Sequence, residues 1–474
     1  MSAPNIVFLL PDQLRPDFLG CYGATFLHTP AIDGLAAGGA RWETAISPSP
    51  ICVPARASML TGQHAHATGV IDNLAWLRPD RHEMGVKTWP EHLNEAGYRT
   101  AAVGKMHFYP WDSDEGFQTR IIAEDKRHIH IADDYDAALA ARGFTKRHAR
   151  DFPGYADSKG ATVNDLPDDL QVDRWVANQA AEWIARQDGT APFALMVGFP
   201  GPHCPYDPPA DALARIDPDR LPPALPPTDE AASHRDAFIA TYRRAWADLD
   251  YSTLSDAEIR GLRHHYAALV ERLDADVARI LDALAQSGQL ENTIVVFASD
   301  HGDYLGDFGL VGKTYFHDPS IRVPLIVRDF RRNAAPSVHA GPVSLLDLYS
   351  SFLEWAGIEV PANASGLPLS QPAPGRVICG VTSHGMMARD DAWKLVRYAN
   401  DTEALFDLRN DPGEQVNALT LHPDQRRRLD AALASCLLDG LRAAHADKRV
   451  PAAQAAPDHG FYQRGWQRPY PNAK

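Results

Sequence analysis

The stretch NIVFLLPDQ, residues 5–13, contains an unbroken apolar run, Ile6–Leu10, that ends at a proline. Continuous apolar runs of this length are typical of strands that are buried on both faces of a parallel sheet. We therefore expect a strand over Ile6–Leu10, with Asp12 and Gln13 directly beyond its carboxyl end. In sheets of this kind, ligands bind beyond the carboxyl ends of the strands.

Three further apolar runs have the same character, and they are Phe193–Val197, Thr293–Ala298 and Val323–Val327. Helical patterns lie between these runs, over Leu170–Arg186 and Asp256–Gly288. The alternation predicts an α/β fold with a large, mostly parallel sheet that is flanked by helices. Three of the four predicted strands run directly into polar, titratable residues, which points to one site at that edge of the sheet.

The pattern changes after Gly375. Trp393–Tyr398 alternates like a half-exposed strand, Ala404–Leu408 follows a polar turn, and an amphipathic helix is indicated near Pro423–Ala443. We expect a large α/β domain over residues 1–375, a small α+β domain over residues 376–449 and a tail over residues 450–474. The tail is rich in proline and carries four aromatic residues, so we expect it to contact another subunit of a dimer or tetramer.

The net charge of −15 comes from 61 acidic and 46 basic residues. It argues against nucleic acid and against an anionic membrane as partners, because both require a basic surface. An anionic substrate would therefore need cations gathered locally around its site. The segment from Ala123 to Asp165 is irregular and rich in charge, and we expect it to be an insertion that shapes access to that site.

The five cysteines are widely spaced and form no CxxC pair, which argues against a disulfide framework or a structural zinc site. No apolar run approaches the twenty or so residues that a membrane span needs. The first residues also lack the basic start and long apolar run of a signal peptide. We expect a cytoplasmic protein.

The stretch CVPARASMLTG, residues 52–62, has the features of a short helix. Pro54 suits the first turn and Gly62 suits the end. Cys52 would then lie at the helix N-terminus, which favours negative charge, with Arg56 one turn further on the same face. Geometry alone leaves two interpretations open, a cysteine placed for chemistry on an anion or a buried cysteine beside a helix start.

The order C-x-P-x-R followed by T-G resembles the signature of the type I sulfatases, which belong to the alkaline phosphatase superfamily. The resemblance implies an alkaline phosphatase-like fold with a large mixed sheet and a catalytic domain over residues 1–375. It also implies that a separate formylglycine-generating enzyme oxidises Cys52 to formylglycine, whose hydrate attacks sulfur. Ala55 stands where the family more often has serine.

The same resemblance implies a site for one divalent cation, with Asp12, Gln13, Asp300, His301 and the residue at position 52 as ligands. Taken singly, an aspartate after a strand is more often a turn former or helix cap. Their joint occurrence with the Cys52 motif favours the metal site. Many sulfatases carry aspartate at position 13 and asparagine at position 301. The residues present here leave calcium as the expected ion, with manganese or a similar ion as the alternative.

Further matches imply the cations of the site. Gly104-Lys105-Met106-His107 resembles the G-K-x-H element, in which lysine binds sulfate oxygens and histidine contacts formylglycine. His203 and Lys313 match residues that bind the substrate sulfate, and either could protonate the leaving oxygen. Asn73 is expected to line the pocket. A lone surface lysine or histidine is more often only solvated or structural.

The expected function is hydrolysis of a small anionic sulfate ester to sulfate and an alcohol or phenol. The alternative is a phosphonate monoester or phosphodiester hydrolase of the same superfamily, which the Gln13 and His301 substitutions also fit. A silent binding protein would retain all these residues by accident, and a thiol enzyme with unmodified Cys52 would leave the metal ligands unexplained. GKMHF, residues 104–108, also occurs in choline-sulfatase-like enzymes, but aryl, alkyl and sugar sulfates stay open.

Overall fold

A computed structural model describes residues 3–82, 85–234, 249–371 and 373–444 of the protein. The strands are β1 Asn5–Asp12, β2 Ala40–Trp42, β3 Ala45–Ile46, β4 Arg99–Gly104, β5 Thr119–Ile122, β6 Phe193–Pro202, β7 Thr293–Ala298, β8 Arg322–Val323, β9 Leu325–Asp329, β10 Ser337–His339, β11 Val343–Ser344, β12 Ile378–Thr382, β13 Gly385–Arg389, β14 Trp393–Tyr398 and β15 Glu403–Asp407. The α-helices are α1 Pro30–Ala37, α2 Cys52–Thr61, α3 Ala65–Thr68, α4 Trp89–Glu95, α5 Asp134–Ala141, α6 Val172–Ala185, α7 Ala210–Leu213, α8 Asp256–Gln286, α9 Asp318–Ile321, α10 Asp347–Trp355 and α11 Pro423–Ala444.

The central sheet has eight strands in the order β10-β2-β9-β7-β1-β6-β4-β5. β7, β1, β6 and β4 are neighbours and run parallel, so their carboxyl ends meet at one edge. The predicted large mixed sheet is confirmed. The run Val323–Val327 is not one strand, because Pro324 divides it into the end of β8 and the start of β9. β9 pairs antiparallel to β7. Proline has no N–H to donate to a sheet, so the strand is interrupted at this residue.

β1 shows why its apolar run is continuous. All eight of its residues are buried. Val7 and Leu9 belong to the apolar core that contains residues of α6 and α8, whereas Ile6 and Phe8 belong to the core that contains residues of α4 and α10. Successive side chains of a strand point to opposite faces, and both faces of this strand are covered by helices.

α8 spans 31 residues and begins with a capping box in which Ser255 and Glu258 satisfy each other's backbone N–H groups. It also supports the loop after β1. The Tyr266 hydroxyl donates to the carbonyl oxygen of Gln13 at 2.7 Å and accepts from the backbone N–H of Arg15 at 2.9 Å. Among the described helices, none combines the length and the apolarity needed to cross a membrane.

The C-terminal region contains a four-stranded antiparallel sheet, β12-β13-β14-β15, on which α11 packs. Its apolar core includes Leu395, Leu405 and Leu429. The fully buried ammonium of Lys394 in β14 pairs with Asp318 of α9 at 2.8 Å and with Glu414, which ties this sheet to the loop region after β7. The predicted tail over residues 450–474 lies outside the described residues, and the predicted domain boundaries stay predictions.

β4 was not predicted, yet it places the next residues of the site. It ends at Gly104, whose φ of +93° lies in the left-handed region. A Cβ atom at Gly104 would lie 2.1 Å from the carbonyl oxygen of Gly198 in β6. That same oxygen accepts a hydrogen bond from the backbone N–H of Lys105 at 2.7 Å. Only glycine allows β4 to approach β6 this closely while the chain turns toward the site.

We expect Gly104→Ala to destabilise the protein by about 3 kcal/mol, since a left-handed φ and a backbone clash are combined there. Gly143→Ala is the matched control, because Gly143 has a φ of +80° but no atom within 4 Å of its added Cβ. The control should lose only about 1 kcal/mol. Urea unfolding of both variants measures the difference, and equal losses would contradict this account of Gly104.

Candidate active site

The carboxyl ends of the four parallel strands carry the predicted residues. Asp12 ends β1 and pairs with Pro202 at the end of β6, directly before His203. Lys105 follows β4, and Asp300 lies two residues beyond β7. The sheet therefore brings together residues that are separated by up to 288 positions in the chain.

Cys52, the first residue of α2, also lies at this edge of the sheet. All ten residues of the helix are buried, and Gly62 ends it with a φ of +66°. The Sγ atom of Cys52 lies 3.1 Å from Nε2 of His301 and 3.8 Å from Oδ1 of Asp12. Although burial opposes ionisation, Lys313 and His301 hold the pKa of the Cys52 thiol well below its usual range. This position stabilises an anionic nucleophile.

Arg56 joins the two carboxylates of the site. Its Nε donates to Oδ2 of Asp300 at 2.9 Å, and one terminal nitrogen donates to Oδ2 of Asp12 at 3.1 Å. The other terminal nitrogen donates to the carbonyl oxygen of Lys105 at 2.8 Å. All three side chains of this bridge are fully buried. Arg56 therefore fixes the spacing of the carboxylates and leaves the Oδ1 atom of each facing His301.

The Oδ1 atoms of Asp12 and Asp300 each lie 3.7 Å from Nε2 of His301. Ligand atoms of Asp12, Cys52, Asp300 and His301 all lie within 4.8 Å of one another. Ligands at about 2.0–2.6 Å from one ion are separated by distances of this order. Nδ1 of His301 is 3.0 Å from the carbonyl oxygen of Gly302, which can only accept, so Nδ1 carries a proton and Nε2 is the ring nitrogen that faces the cluster. This donor set fits a divalent cation.

The pKa values of Asp12 and Asp300 also indicate that positive charge would stabilise this site. Burial and the negative charge of Asp12 raise the pKa of Asp300. In spite of burial, Lys105 and Arg56 hold the pKa of Asp12 below its usual range. Two buried carboxylates of like charge share one guanidinium, and a dication would relieve the remaining repulsion.

Gln13 has a φ of +70°, and its backbone N–H donates to Oδ1 of Asp300 at 3.1 Å. Its side-chain oxygen accepts from Nζ of Lys313 at 2.6 Å, and its side-chain nitrogen donates to Asp303. Asp303 also accepts from the Tyr206 hydroxyl at 2.5 Å. These contacts make Gln13 a link between Lys313 and Asp303. Its role as a metal ligand stays a prediction.

Lys105 is fully buried between two carboxylates. Its Nζ lies 2.8 Å from Oδ2 of Asp12 and 2.6 Å from Oδ2 of Asp125. His107 has a φ of +58°, and its backbone N–H donates to Glu124 at 3.1 Å. The His107 side chain is also one of the groups that lower the pKa of the Cys52 thiol, and its contact with the nucleophile stays a prediction. The G-K-x-H element thus brings both of its polar side chains to the site.

Lys313 and His203 contact each other at the site. Nζ of Lys313 lies 2.6 Å from Nε2 of His203, whose Nδ1 lies 2.6 Å from the carbonyl oxygen of Cys204. The carbonyl can only accept, so Nδ1 carries the proton and the lone pair of Nε2 faces Lys313. Burial, together with Lys313 and Arg127, lowers the pKa of His203 to about 3. His203 is therefore neutral in this arrangement.

The sequence profile of the family described as Sulfatase matches residues 4–358. The chain belongs to the sulfatase family. It is 31% identical over 472 residues to a choline-sulfatase of Rhizobium meliloti, covering 94% of this chain and 87% of that protein. It is also 28% identical to an arylsulfatase of Clostridium perfringens, covering 90% of this chain and 92% of that protein. The expected activity, hydrolysis of sulfuric esters, is confirmed.

Solved structures support the fold of this sulfatase. The phosphonate monoester hydrolase of Agrobacterium radiobacter superposes with a TM-score of 0.78 at 20% identity, covering 92% of this chain and 96% of that chain. The phosphonate monoester hydrolase of Silicibacter pomeroyi gives a TM-score of 0.74 at 22% identity, covering 92% and 95%. The expected alkaline phosphatase-like fold is confirmed. Family membership also implies a divalent metal and a formylglycine derived from cysteine.

Asn73 has a structural contact in this sulfatase. Its side-chain oxygen accepts a hydrogen bond of 3.0 Å from the backbone N–H of Val53, the second residue of α2. It thereby satisfies one of the N–H groups that a helix leaves without a partner at its start. Its predicted place in the substrate pocket stays a prediction.

The sequence reasoning missed several residues that contact the site, and they are Glu124, Asp125, Arg127, Tyr206 and Asp303. Asp303 could have been predicted from the sequence, because it lies in the same SDHGD stretch as Asp300. Asp125 and Arg127 lie in the segment predicted to be an irregular insertion, whose weak periodicity gave no sign of where each side chain points.

We expect Arg56→Met to destabilise the metal-free sulfatase by about 3–5 kcal/mol, because two buried carboxylates lose their partner. Added Ca²⁺ or Mn²⁺ should restore more stability to this variant than it adds to the native protein, since the ion replaces the lost positive charge. Urea unfolding with and without each ion measures both effects.

Arg263→Met is the control for this experiment. Arg263 is also buried and pairs with a single carboxylate, Asp307, outside the cluster around Cys52. We expect this variant to be destabilised without any extra gain from the ion. An equal gain in both variants would show that the ion binds elsewhere.

Proposed function

We propose that the protein is a metal-dependent sulfatase whose nucleophile is a formylglycine made from Cys52 by a separate enzyme. It would release sulfate and an alcohol or phenol. The observation that carries the proposal is the position of Cys52 Sγ, which lies at the start of α2, inside the group of metal-ligand atoms. A buried cysteine with a purely structural role would not need two carboxylates, an imidazole and three cations around it.

The formylglycine hydrate would supply the attacking hydroxyl. A bound dication would add positive charge beside position 52 and lower the pKa of that hydroxyl. We propose Ca²⁺ as the ion, because Asp12 and Asp300 provide hard oxygen ligands, and Mn²⁺ as the alternative, because His301 adds a nitrogen ligand. The increases in unfolding free energy that Ca²⁺ and Mn²⁺ give to the Arg56→Met variant distinguish these two ions.

The remaining steps belong to side chains that the fold holds in place. Lys105 and Lys313 would neutralise the oxygens of the transferring group, and removal of one such group typically costs about 3 kcal/mol of barrier. The proton for the leaving oxygen would come from Lys313, because His203 is neutral and its Nε2 accepts from Lys313. His107, one of the groups that lower the pKa of the Cys52 thiol, would take up a proton during release of sulfate.

The charge balance of the contact network supports an anionic substrate. The network contains five carboxylates and four permanent cations, and these are Asp12, Glu124, Asp125, Asp300, Asp303, Arg56, Lys105, Arg127 and Lys313. Protein charges alone therefore nearly cancel, and a dication would leave the site positive. That local excess would attract an oxyanion in spite of a net charge of −15 on the whole chain.

The second candidate is hydrolysis of phosphonate monoesters or phosphodiesters. Gln13 and His301 favour it, because they replace the acidic and amide residues that many sulfatases carry. A phosphonate monoester and a sulfate monoester both present a singly charged tetrahedral group. One pocket can therefore accept both, at different rates.

We expect Cys52→Ala to lower the hydrolysis of an aryl sulfate by on the order of 10³-fold or more, because the nucleophile is lost. Cys21→Ala is the matched control and should keep full activity, since Cys21 lies outside the contact network of the site. Mass spectrometry of the peptide that contains residue 52 should show an aldehyde in active protein from the native host. A free thiol in fully active protein would overturn the formylglycine proposal.

We expect kcat/KM to be higher for an aryl sulfate than for the aryl phosphonate monoester with the same leaving group. The identical leaving group ensures that the comparison reports the transferred group and not the phenol. Steady-state assays of both esters, with the same metal-loaded preparation, measure the ratio. A higher value for the phosphonate would make the second candidate the main activity.

A further inference from the structure

Two cations converge on one nitrogen atom of the site. Nε2 of His203 lies 2.6 Å from Nζ of Lys313 and 3.3 Å from a terminal nitrogen of Arg127. His203 is 1% exposed, and the side chains of Lys313 and Arg127 are also largely removed from solvent. Because Nδ1 carries the ring proton, Nε2 has one lone pair for these two donors.

Nε2 of His203 offers these two cations no negative charge, although Asp125 pairs with Arg127. A neutral imidazole contributes one lone pair and no charge, so it does not offset the repulsion between a lysine and an arginine that meet at low solvent exposure. An oxyanion next to His203 would accept from both cations and offset their repulsion. The convergence point therefore has the properties of an anion subsite.

Asp125 holds Arg127 in this orientation. Its carboxylate accepts from Nε of Arg127 at 2.8 Å, from a terminal nitrogen at 2.9 Å and from the backbone N–H of the same residue at 3.0 Å. The carboxylate also accepts from Nζ of Lys105 at 2.6 Å. One buried carboxylate thus fixes both a cation from the G-K-x-H element and a cation from the insertion.

We propose that Arg127 is a substrate-binding residue, which holds the transferred oxyanion together with Lys313 from two sides of His203. Asp125 is the positioning residue that orients Arg127 and Lys105. This inference rests on the proposed function and assigns to the insertion a direct part in the oxyanion pocket.

Arg147 shows what a merely structural arginine looks like in the same insertion. It pairs with Asp165, and both side chains are exposed, at 43% and 69%. Arg127 also pairs with an aspartate, but its side chain is only 9% exposed and its guanidinium reaches His203, which is predicted to contact the substrate. Arg147 is therefore the matched control for a test of Arg127.

The test is calorimetric titration of the full-length, metal-loaded protein with inorganic sulfate at constant ionic strength. We expect Arg127→Gln to weaken sulfate binding by about 10- to 100-fold, which is the usual effect of a lost charge-assisted hydrogen bond. Arg127→Lys should lose less, since it keeps the charge but not the planar fork. Arg147→Gln should bind sulfate like the native protein. Asp125→Asn should also weaken binding, because both cations lose their anchor.

Unchanged sulfate affinity in Arg127→Gln, or an equal loss in Arg147→Gln, would overturn the inference. A lower unfolding free energy with unchanged sulfate affinity would likewise mean that Arg127 is only structural. The outcome is distinguishable from failure of the proposed function. A native protein that binds sulfate through Arg127 but hydrolyses no sulfate ester would refute the function alone, whereas an active sulfatase with an unaffected Arg127→Gln variant would refute the inference alone.

Discussion

The buried bridge from Arg56 to Asp12 and Asp300 is the interaction on which the site depends. Two carboxylates cannot share a dry interior without a compensating charge, and the guanidinium supplies it with two correctly spaced hydrogen bonds. The bridge also joins α2 to the ends of β1 and β7, so the proposed nucleophile and the proposed metal ligands are located by the same contact. The fold and the chemistry of this sulfatase are therefore coupled at one side chain.

The sheet explains how distant segments reach that bridge. Parallel strands end at one edge, and each of the four central strands of this sheet adds a polar residue there. The net charge of the whole chain does not indicate how charges are arranged at this edge of the sheet. Cations and carboxylates are instead paired locally, with Lys105 between Asp12 and Asp125. Affinity for an anion then depends on small local imbalances, such as the one at His203, and not on the charge of the surface.

Much of this arrangement was predictable from local pattern. β1 and β7 are continuous apolar runs because helices cover both faces of the sheet, and Cys52 was located because Pro54 and Gly62 mark the ends of its helix. β4 was missed, since RTAAVG contains little of the β-branched character that distinguishes strands. The antiparallel direction of β9, and the contact between Arg127 and His203, arise from tertiary packing, which no local periodicity encodes.

The complete burial of Cys52 has a consequence for how the enzyme is made. The thiol is 0% exposed, and every residue of α2 is enclosed by the folded domain. Any separate enzyme that oxidises this residue must reach it before the helix packs against the strand ends. Under the proposed maturation, oxidation of Cys52 and folding would compete during synthesis, and chains that fold first would keep an inaccessible thiol. The active fraction of a preparation would then record the outcome of that competition and not the stability of the finished protein.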